Sequence, residues 1–204
     1  MGMPVQKRRY SVAEYLELER AAEERHEYHD GEILAMAGGS PDHSFISANL
    51  VGELRNALKG KPCRVGESNL RIGIPGVSRY VYPDAAIICG PLLYDPRDTE
   101  RQTIVNPKVI IEVLSPSTEG YDRGDKFAQY REIESFAEYI LVSQDRANVE
   151  SLLRQSDGAW SILAFSDRAG MAQIRSLGLK IPLSEIYAGI EWQAAGAGGP
   201  QAEA

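Results

Sequence analysis

Two helices are predicted in the first third of the chain from the spacing of capping and apolar residues. Ser11-Val12-Ala13-Glu14 matches a capping box, in which serine and glutamate side chains bond free amides, and predicts a helix over 12–24. Ser40-Pro41 begins the second helix, since proline suits a first helical turn. Apolar residues recur at every fourth position of this helix, which predicts one buried face. They are Ile46, Leu50, Leu54 and Leu58.

Short apolar runs predict strands in most of the remaining chain. Asp30-Gly31 favours a two-residue turn and predicts a hairpin over 26–37. A further helix is predicted over 123–133 and a helical turn over 182–187. The other strands are predicted over 63–65, 70–74, 81–89, 108–114, 138–143, 149–154 and 160–164. This order of elements predicts an α/β fold with a central mixed β-sheet flanked by helices.

One domain is predicted over residues 11–192, between an N-terminal tail over 1–10 and a C-terminal tail over 193–204. The 204 residues are enough for a single substantial core. The C-terminal tail is rich in alanine and glycine, and this composition predicts disorder.

Charge and cysteine content narrow the class of protein. A net charge of −7 argues against non-specific coating of nucleic acid, but it permits a nuclease with basic residues near an acidic site. Cys63 and Cys89 show neither a disulfide framework nor zinc-ligand spacing, so a buried thiol is expected at Cys89. The chain starts without an apolar region and has no run of membrane-spanning length, so a cytoplasmic location is expected. Six basic residues form either a nucleic-acid track or a solvated face: Arg55, Lys59, Lys61, Arg64, Arg71 and Arg79.

Two acidic residues lie in runs that otherwise predict buried strands. Asp84 leads the run Ala85–Cys89, and Glu112 lies within Val109–Leu114. A buried charge is costly unless it is paired, hydrogen-bonded or bound to a metal. Strand residues alternate between faces, so pairing of the two strands would bring Asp84 and Glu112 together at one end of the sheet.

Two adjacent carboxylates repel each other unless a cation lies between them. Mg²⁺ binds such carboxylates together with a carbonyl, waters and a substrate phosphate, and it lowers the pKa of a bound water. Lys126, in the helix after Glu112, is placed to orient that water or to stabilise a transition state. The alternative is a structural ion pair, of Glu112 with Lys126 or of Asp84 with an arginine.

Six segments carry a resemblance to a known family. They are Glu27–Ile33, Ser40–His43, Pro83-Asp84, Ile111–Thr118, Asp122–Tyr130 and Glu138–Val142. In this order, over roughly residues 11–187, they resemble the Uma2 family, a set of restriction-endonuclease-like proteins in the PD-(D/E)XK nuclease superfamily. The resemblance implies a restriction-endonuclease-like fold.

The resemblance also implies roles for single residues. Asp84 matches the first acid of the nuclease motif and Glu112 the second. The superfamily's lysine stands two residues after the second acid, where this chain has Leu114. Lys126 is therefore interpreted as a migrated lysine, as the Uma2 pattern implies. The carbonyl of Val113 is the expected third protein ligand of the metal, which is Mg²⁺ or Mn²⁺.

Other candidate residues have plainer alternatives. Glu27 is an upstream glutamate that the resemblance admits as an extra acid, or else a charge on the wet face of the hairpin. His43 contacts phosphate or metal, or else caps its helix or faces solvent. Tyr130 bonds near Lys126 or, as the safer interpretation, packs in the core. His26 and His29 are expected to be exposed.

The predicted function is a metal-dependent endonuclease that hydrolyses DNA phosphodiester bonds. A homodimer is expected, because cutting both strands of DNA needs two active sites. The rival is a non-catalytic module that binds DNA or a partner on a nuclease scaffold, which a solvent-facing Lys126 would favour. Hydrolysis of another phosphodiester is a weaker alternative. A serine hydrolase is excluded, since Pro116 removes the N–H next to Ser115 that an oxyanion hole needs.

Overall fold

A computed structural model of the protein describes residues 8–36 and 38–192. The helices are α1 (Val12–Ala21), α2 (Pro41–Ala57), α3 (Glu119–Tyr121), a π-helix (Asp122–Lys126), α4 (Phe127–Tyr130), a 3₁₀ turn (Arg175–Leu177) and α5 (Leu183–Ile186). The strands are β1 (His26–His29), β2 (Glu32–Ala35), β3 (Cys63–Glu67), β4 (Arg71–Ile74), β5 (Arg79–Val81), β6 (Ala85–Cys89), β7 (Thr103–Ile104), β8 (Val109–Leu114), β9 (Glu138–Ser143), β10 (Val149–Arg154), β11 (Trp160–Phe165), β12 (Met171–Ile174) and β13 (Leu179–Pro182).

Side-chain caps fix the starts of the first two helices, as predicted. The Glu14 amide donates to Ser11 Oγ at 3.2 Å, and the Ser11 amide donates to Glu14 Oε2 at 2.7 Å. α1 ends before the predicted boundary because Ala22 already has extended backbone angles. In α2, the His43 amide donates to Ser40 Oγ at 3.1 Å. The four residues of its predicted apolar stripe are all buried.

The predicted hairpin is confirmed as β1 and β2, which pair antiparallel from His26↔Ala35 to His29↔Glu32. Its turn residues, Asp30 and Gly31, have φ angles of 48° and 100°. Both lie in the left-handed region, which glycine and aspartate tolerate better than most residues.

The predicted central mixed sheet is confirmed. Its six strands run in the order β11-β10-β9-β8-β6-β3, with β8 and β9 parallel and the other neighbours antiparallel. The α2 stripe packs on one face of this sheet with Ile111 and Val113, whereas Ile110 and Leu114 pack on the other face with Tyr130.

The prediction of one strand over 81–89 is wrong, because the chain changes sheets there. β5 belongs to a second sheet, ordered β2-β1-β5-β4-β7, whereas β6 belongs to the central sheet. Tyr82-Pro83-Asp84 connects them. Proline has no N–H for a strand ladder, so a break at Pro83 is physically reasonable.

The predicted helix over 123–133 starts earlier and ends earlier than expected. It begins at Glu119, whose amide donates to the Ser115 carbonyl at 2.9 Å, and it ends at Tyr130. Its middle is the π-helix, a wider turn that displaces the helical register. The polar start of this segment gave no apolar periodicity from which to place the boundary.

A Cys63–Cys89 disulfide contradicts the expectation of a free buried thiol. The two residues lie directly opposite each other in the β3–β6 pair. This register depends on the pairing of distant strands, which cysteine spacing along the chain does not reveal.

Other expectations have mixed outcomes. The β10–β11 pair and the turn at α5 are confirmed, whereas β7 and the antiparallel β12–β13 ribbon were not predicted. The predicted C-terminal tail and most of the N-terminal tail lie outside the described residues. Within the described part of the chain, no helix is both long enough and apolar enough to cross a membrane.

Candidate active site

Asp84 and Glu112 meet at the end of the β6–β8 pair. The register Ala85↔Ile111 sets Asp84, one residue before β6, opposite Glu112. The Asp84 amide donates to Glu112 Oε2 at 3.4 Å, and the Val113 amide donates to Asp84 Oδ2 at 2.7 Å. The predicted convergence of the two acids is therefore present.

Glu112 is buried and receives two close donors on one oxygen. Lys126 Nζ lies 2.8 Å from Oε1, and the Tyr130 hydroxyl donates to the same atom at 2.8 Å. Burial raises the pKa of Glu112 to about 8, against the lowering effect of the Lys126 charge. Tyr130 is also fully buried, so it both packs in the core and holds the acid.

Lys126 points into the site from the last residue of the π-helix. Besides Glu112, its ammonium lies 3.5 Å from Asp122 Oδ1 and 4.0 Å from Glu27 Oε1. Burial lowers the pKa of Lys126, but the charges of these three carboxylates outweigh burial and raise it above its usual range. Lys126 is therefore the fixed cation of an acidic cluster. The acids of this cluster are Glu27, Asp84, Glu112 and Asp122.

Glu27 belongs to the cluster and not to a wet hairpin face. Its Oε1 accepts from the Tyr82 amide at 3.3 Å, and its Oε2 lies 3.2 Å from His29 Nε2. Burial raises the pKa of Glu27, but the His29 hydrogen bond and the Lys126 charge outweigh burial and lower it. The expectation that His29 is exposed is wrong, since only 14% of its side chain is accessible. His26 is half-buried against Glu19.

His43 contacts the first acid directly. Its Nε2 lies 3.2 Å from Asp84 Oδ2, the oxygen that also accepts from Val113. The hydrogen bond to Asp84 raises the pKa of His43 above its usual value. Gly39 leaves space for the ring, because a Cβ there would lie 2.8 Å from His43 Nδ1. The capping alternative does not describe this side chain, since the Ser40 hydroxyl caps the helix.

Asp122 is a buried acid that the sequence analysis did not select. It precedes Lys126 by one helical turn, and burial raises the pKa of its carboxyl. Aspartate four residues before lysine on a helix is a known pairing signal, so this contact could have been predicted from the sequence.

The cluster lines a pocket of about 690 Å³. Leu114, at the usual place of the lysine, is buried in the core and does not line the pocket. None of the six basic residues proposed as a track lines the pocket either. Arg71 is buried against Asp98, and Arg79 pairs with Asp30.

The donor set suits a hard divalent cation. Asp84 and Glu112 supply carboxylate oxygens, and the Val113 carbonyl is the expected backbone ligand. Among the described residues, no three Asp, Glu, His or Cys side chains are grouped as a metal centre on their own. A bound cation would therefore combine the two carboxylates with the carbonyl and waters, which is the coordination that Mg²⁺ favours.

The fold is that of a restriction-endonuclease-like protein. The chain belongs to the Uma2 family, whose model carries the description "Putative restriction endonuclease" and matches residues 12–184.

Two curated relatives come from Synechocystis sp. (strain ATCC 27184 / PCC 6803 / Kazusa). "Uncharacterized protein slr1290" is 41% identical over 88% of this chain and 92% of its own length. "Uncharacterized protein sll1609" is 33% identical over 74% of this chain and 84% of its own length.

A solved structure shares the fold. It is described as "a putative nuclease belonging to DUF820" from Anabaena variabilis ATCC 29413. The TM-score is 0.69 at 17% identity, over 87% of this chain and 97% of the other chain.

Proposed function

We propose that the protein is a metal-dependent endonuclease that hydrolyses phosphodiester bonds in DNA. The observation that carries the proposal is the position of Lys126, whose ammonium lies 2.8 Å from Glu112 Oε1 in the pocket that Asp84 also lines. Family membership and the nuclease-like fold support the same reaction class.

Asp84, Glu112 and the Val113 carbonyl are the proposed ligands of Mg²⁺ or Mn²⁺. A bound cation of this kind stabilises charge on phosphoryl oxygens and makes a bound water more acidic. Tyr130 and Lys126 hold the Glu112 carboxyl in place through two bonds at 2.8 Å. Val113 and His43 hold Asp84 Oδ2, which leaves the other carboxylate oxygen to face a ligand.

Lys126 is the proposed group that orients the attacking water and stabilises developing negative charge. Its ammonium is held by three carboxylates, so its position is fixed before substrate binds. Preorganised charge of this kind needs little rearrangement during reaction. Glu27 is the proposed extra acid, because it lies beside the same ammonium.

The rival function is a non-catalytic module that binds DNA or a partner. A lysine that faces solvent would favour that rival, whereas Lys126 is 9% exposed and turned toward the acids. Its orientation therefore supports the enzyme, although a structural ion pair shares this contact. An activity measurement separates the enzyme from the binding module.

Plasmid cleavage with Mg²⁺ or Mn²⁺ tests the proposal. Wild-type protein is expected to nick or linearise the plasmid, and Asp84→Ala and Lys126→Ala are expected to lose this activity. Leu163→Ser on the distant strand β11 is a matched control, since its side chain is 47% exposed. Loss in Asp84→Ala alone would remove the role of Lys126. A folded wild type that cleaves neither the plasmid nor single-stranded DNA would favour the binding module.

A homodimer remains a prediction that follows from cutting both strands. Light scattering after size-exclusion chromatography would measure the mass. The mass of a single chain, for a protein that cuts both strands, would contradict the predicted homodimer.

A further inference from the structure

The pocket has an apolar wall next to its acidic floor. In the β1–β2 hairpin Leu34 is directly opposite Glu27, and paired residues of this kind share a face of the sheet. Met36 lies two residues further along, just past the end of β2. Leu34 and Met36 both line the pocket and are 42% and 38% exposed. An exposed apolar wall beside charged groups is suited to a ligand that has both a polar and a flat apolar part.

The pocket also has a cluster of hydroxyl groups. Ser115 Oγ lies 3.0 Å from Ser117 Oγ and 2.9 Å from Thr118 Oγ1, and all three residues line the pocket. Hydroxyl side chains commonly contact the sugars and phosphates of DNA. These groups are neutral, so they add no attraction for a polyanion.

The charge of the pocket is unfavourable for a closed duplex. Duplex binding depends mainly on Lys and Arg side chains that neutralise phosphates. Among the described lining residues the only Lys or Arg is Lys126, and its ammonium is held by carboxylates. The cluster contains four acids: Glu27, Asp84, Glu112 and Asp122. Lys126 and His43 both pair with these acids, so even with a divalent cation bound little positive charge would remain for a second DNA strand.

The size of the pocket also argues against a closed duplex as its ligand. Its volume of about 690 Å³ is within the range of pockets that enclose one small ligand, about 300–1,000 Å³. A recess of this size suits one nucleotide at a time. Proteins that take up single nucleotides in such recesses bind unpaired or extruded ones, whose bases pack on aromatic or apolar side chains.

We propose that the substrate is an unpaired strand of DNA, whose base packs against Leu34 and Met36 while its phosphate reaches the divalent cation that Asp84 and Glu112 would hold. The inference rests on the proposed nuclease function and specifies its substrate. The unpaired nucleotide comes either from single-stranded DNA or from an unpaired loop in a duplex. Cleavage of such a strand needs one active site, so this substrate does not require a dimer.

Fluorescence anisotropy with three labelled oligonucleotides tests the inference. They are a single strand, the closed duplex of the same sequence, and a duplex with an internal unpaired loop, with Ca²⁺ in place of Mg²⁺ to slow cleavage. The single strand is expected to bind at least tenfold more tightly than the closed duplex. Binding of the looped duplex but not the single strand would identify extruded nucleotides as the source.

The Leu34→Ser/Met36→Ser variant tests the apolar wall. It is expected to weaken single-strand binding several-fold, because it removes the apolar surface of two side chains on which the base packs. Leu163→Ser on β11 removes a similarly exposed leucine outside the pocket and is expected to bind like wild type. Met36→Ser alone, outside β2, is the milder variant if the double variant unfolds, and a several-fold weakening is expected.

Two results would overturn the inference. One is a closed duplex that binds as tightly as the single strand, and the other is a folded double variant with wild-type affinity. Cleavage of closed duplex in Mg²⁺ together with either result would leave the nuclease function standing. A protein that binds and cleaves none of the three oligonucleotides would fail as a nuclease, and the substrate inference would fail with it.

Discussion

At the scale of single residues, Asp84 has an unequal set of partners. Its Oδ2 accepts from Val113 and lies 3.2 Å from His43, whereas Oδ1 has no hydrogen-bond partner among the described residues. Two donors on one oxygen fix the direction in which the other oxygen points. Residues that orient metal ligands in this way commonly affect metal affinity by about 10- to 100-fold.

His43→Leu is expected to weaken Mn²⁺ binding by about 10- to 100-fold, because Asp84 loses one of its two orienting contacts. His43→Gln keeps an N–H donor on a side chain of similar reach and is expected to stay within about threefold of wild type. Isothermal titration with Mn²⁺ measures both. Equal affinity in His43→Leu and wild type would show that Val113 alone positions the acid.

Tyr130→Phe is expected to lower the free energy of unfolding by about 1–3 kcal/mol, since a buried carboxyl oxygen loses its hydroxyl donor. It is also expected to slow cleavage, because Glu112 Oε1 is then held by Lys126 alone. Urea denaturation and plasmid cleavage measure the two effects.

Tyr139→Phe is the matched control for this substitution. Tyr139 is an equally buried neighbour whose hydroxyl donates to the Asp122 backbone carbonyl at 3.1 Å. It is expected to lose stability but retain cleavage. Equal loss of cleavage in both variants would assign the effect to core packing.

Single residues also show what the sequence could reveal about the site. Asp84 and Glu112 were recognisable because a charge in an apolar run needs a partner. Lys126 followed from its place in the helix after Glu112, and the family resemblance interpreted it as a migrated lysine. The contact of His43 with Asp84 was not predictable, because it depends on how α2 packs against the end of a sheet formed elsewhere in the chain.

At the scale of elements, the connection between β5 and β6 positions the site. Tyr82 leaves the second sheet and its amide donates to Glu27 on β1, whereas Asp84 enters the central sheet opposite Glu112. The cluster therefore draws on both sheets. Any distortion of the second sheet is expected to reach the acids through this connection.

A buried ion pair anchors the second sheet at β4. Arg71 Nη2 lies 3.0 Å from Asp98 Oδ2, and Thr103 donates to the same oxygen at 2.7 Å. Burial raises the pKa of Asp98, but the Thr103 and Arg71 hydrogen bonds outweigh burial and hold it below the usual value.

Asp98→Asn is expected to lower the free energy of unfolding by about 3–5 kcal/mol near neutral pH, since Arg71 keeps a buried charge without its partner. A depressed carboxyl pKa stabilises the fold above the unfolded-state pKa of about 3.9, and this contribution is lost as pH falls through the folded-state pKa. As the pH falls below about 4, the free energy of unfolding should therefore decrease less in the variant than in wild type. Urea denaturation as a function of pH measures this.

Arg146→Ala is the control for this ion pair. Arg146 pairs with Asp145 on the surface, where the two side chains are 57% and 62% exposed. Its removal is expected to change stability by less than about 0.5 kcal/mol. A similar small change for Asp98→Asn would contradict the structural role of the buried pair.

At the scale of the whole molecule, the order of elements was enough to predict the α/β class and the mixed central sheet. The second sheet could not be predicted, because β5 continues into β6 without a polar turn and Pro83 alone marks the passage from one sheet to the other. The disulfide was hidden for a related reason, since its two cysteines become neighbours only after β3 and β6 pair. Local patterns thus predicted elements, while long-range register determined which residues meet.

The Cys63–Cys89 link gives the molecule a closed covalent ring that contains Asp84. A protease that cuts once inside the ring, for example in the turn over 75–78, would leave a single covalent molecule. Denaturing electrophoresis should then show one band without reductant and two bands with it. Two bands in both lanes would mean that the link is absent. In the oxidised protein, such a nick would leave the chain segment that carries Asp84 attached at Cys89 and free at its new N-terminus.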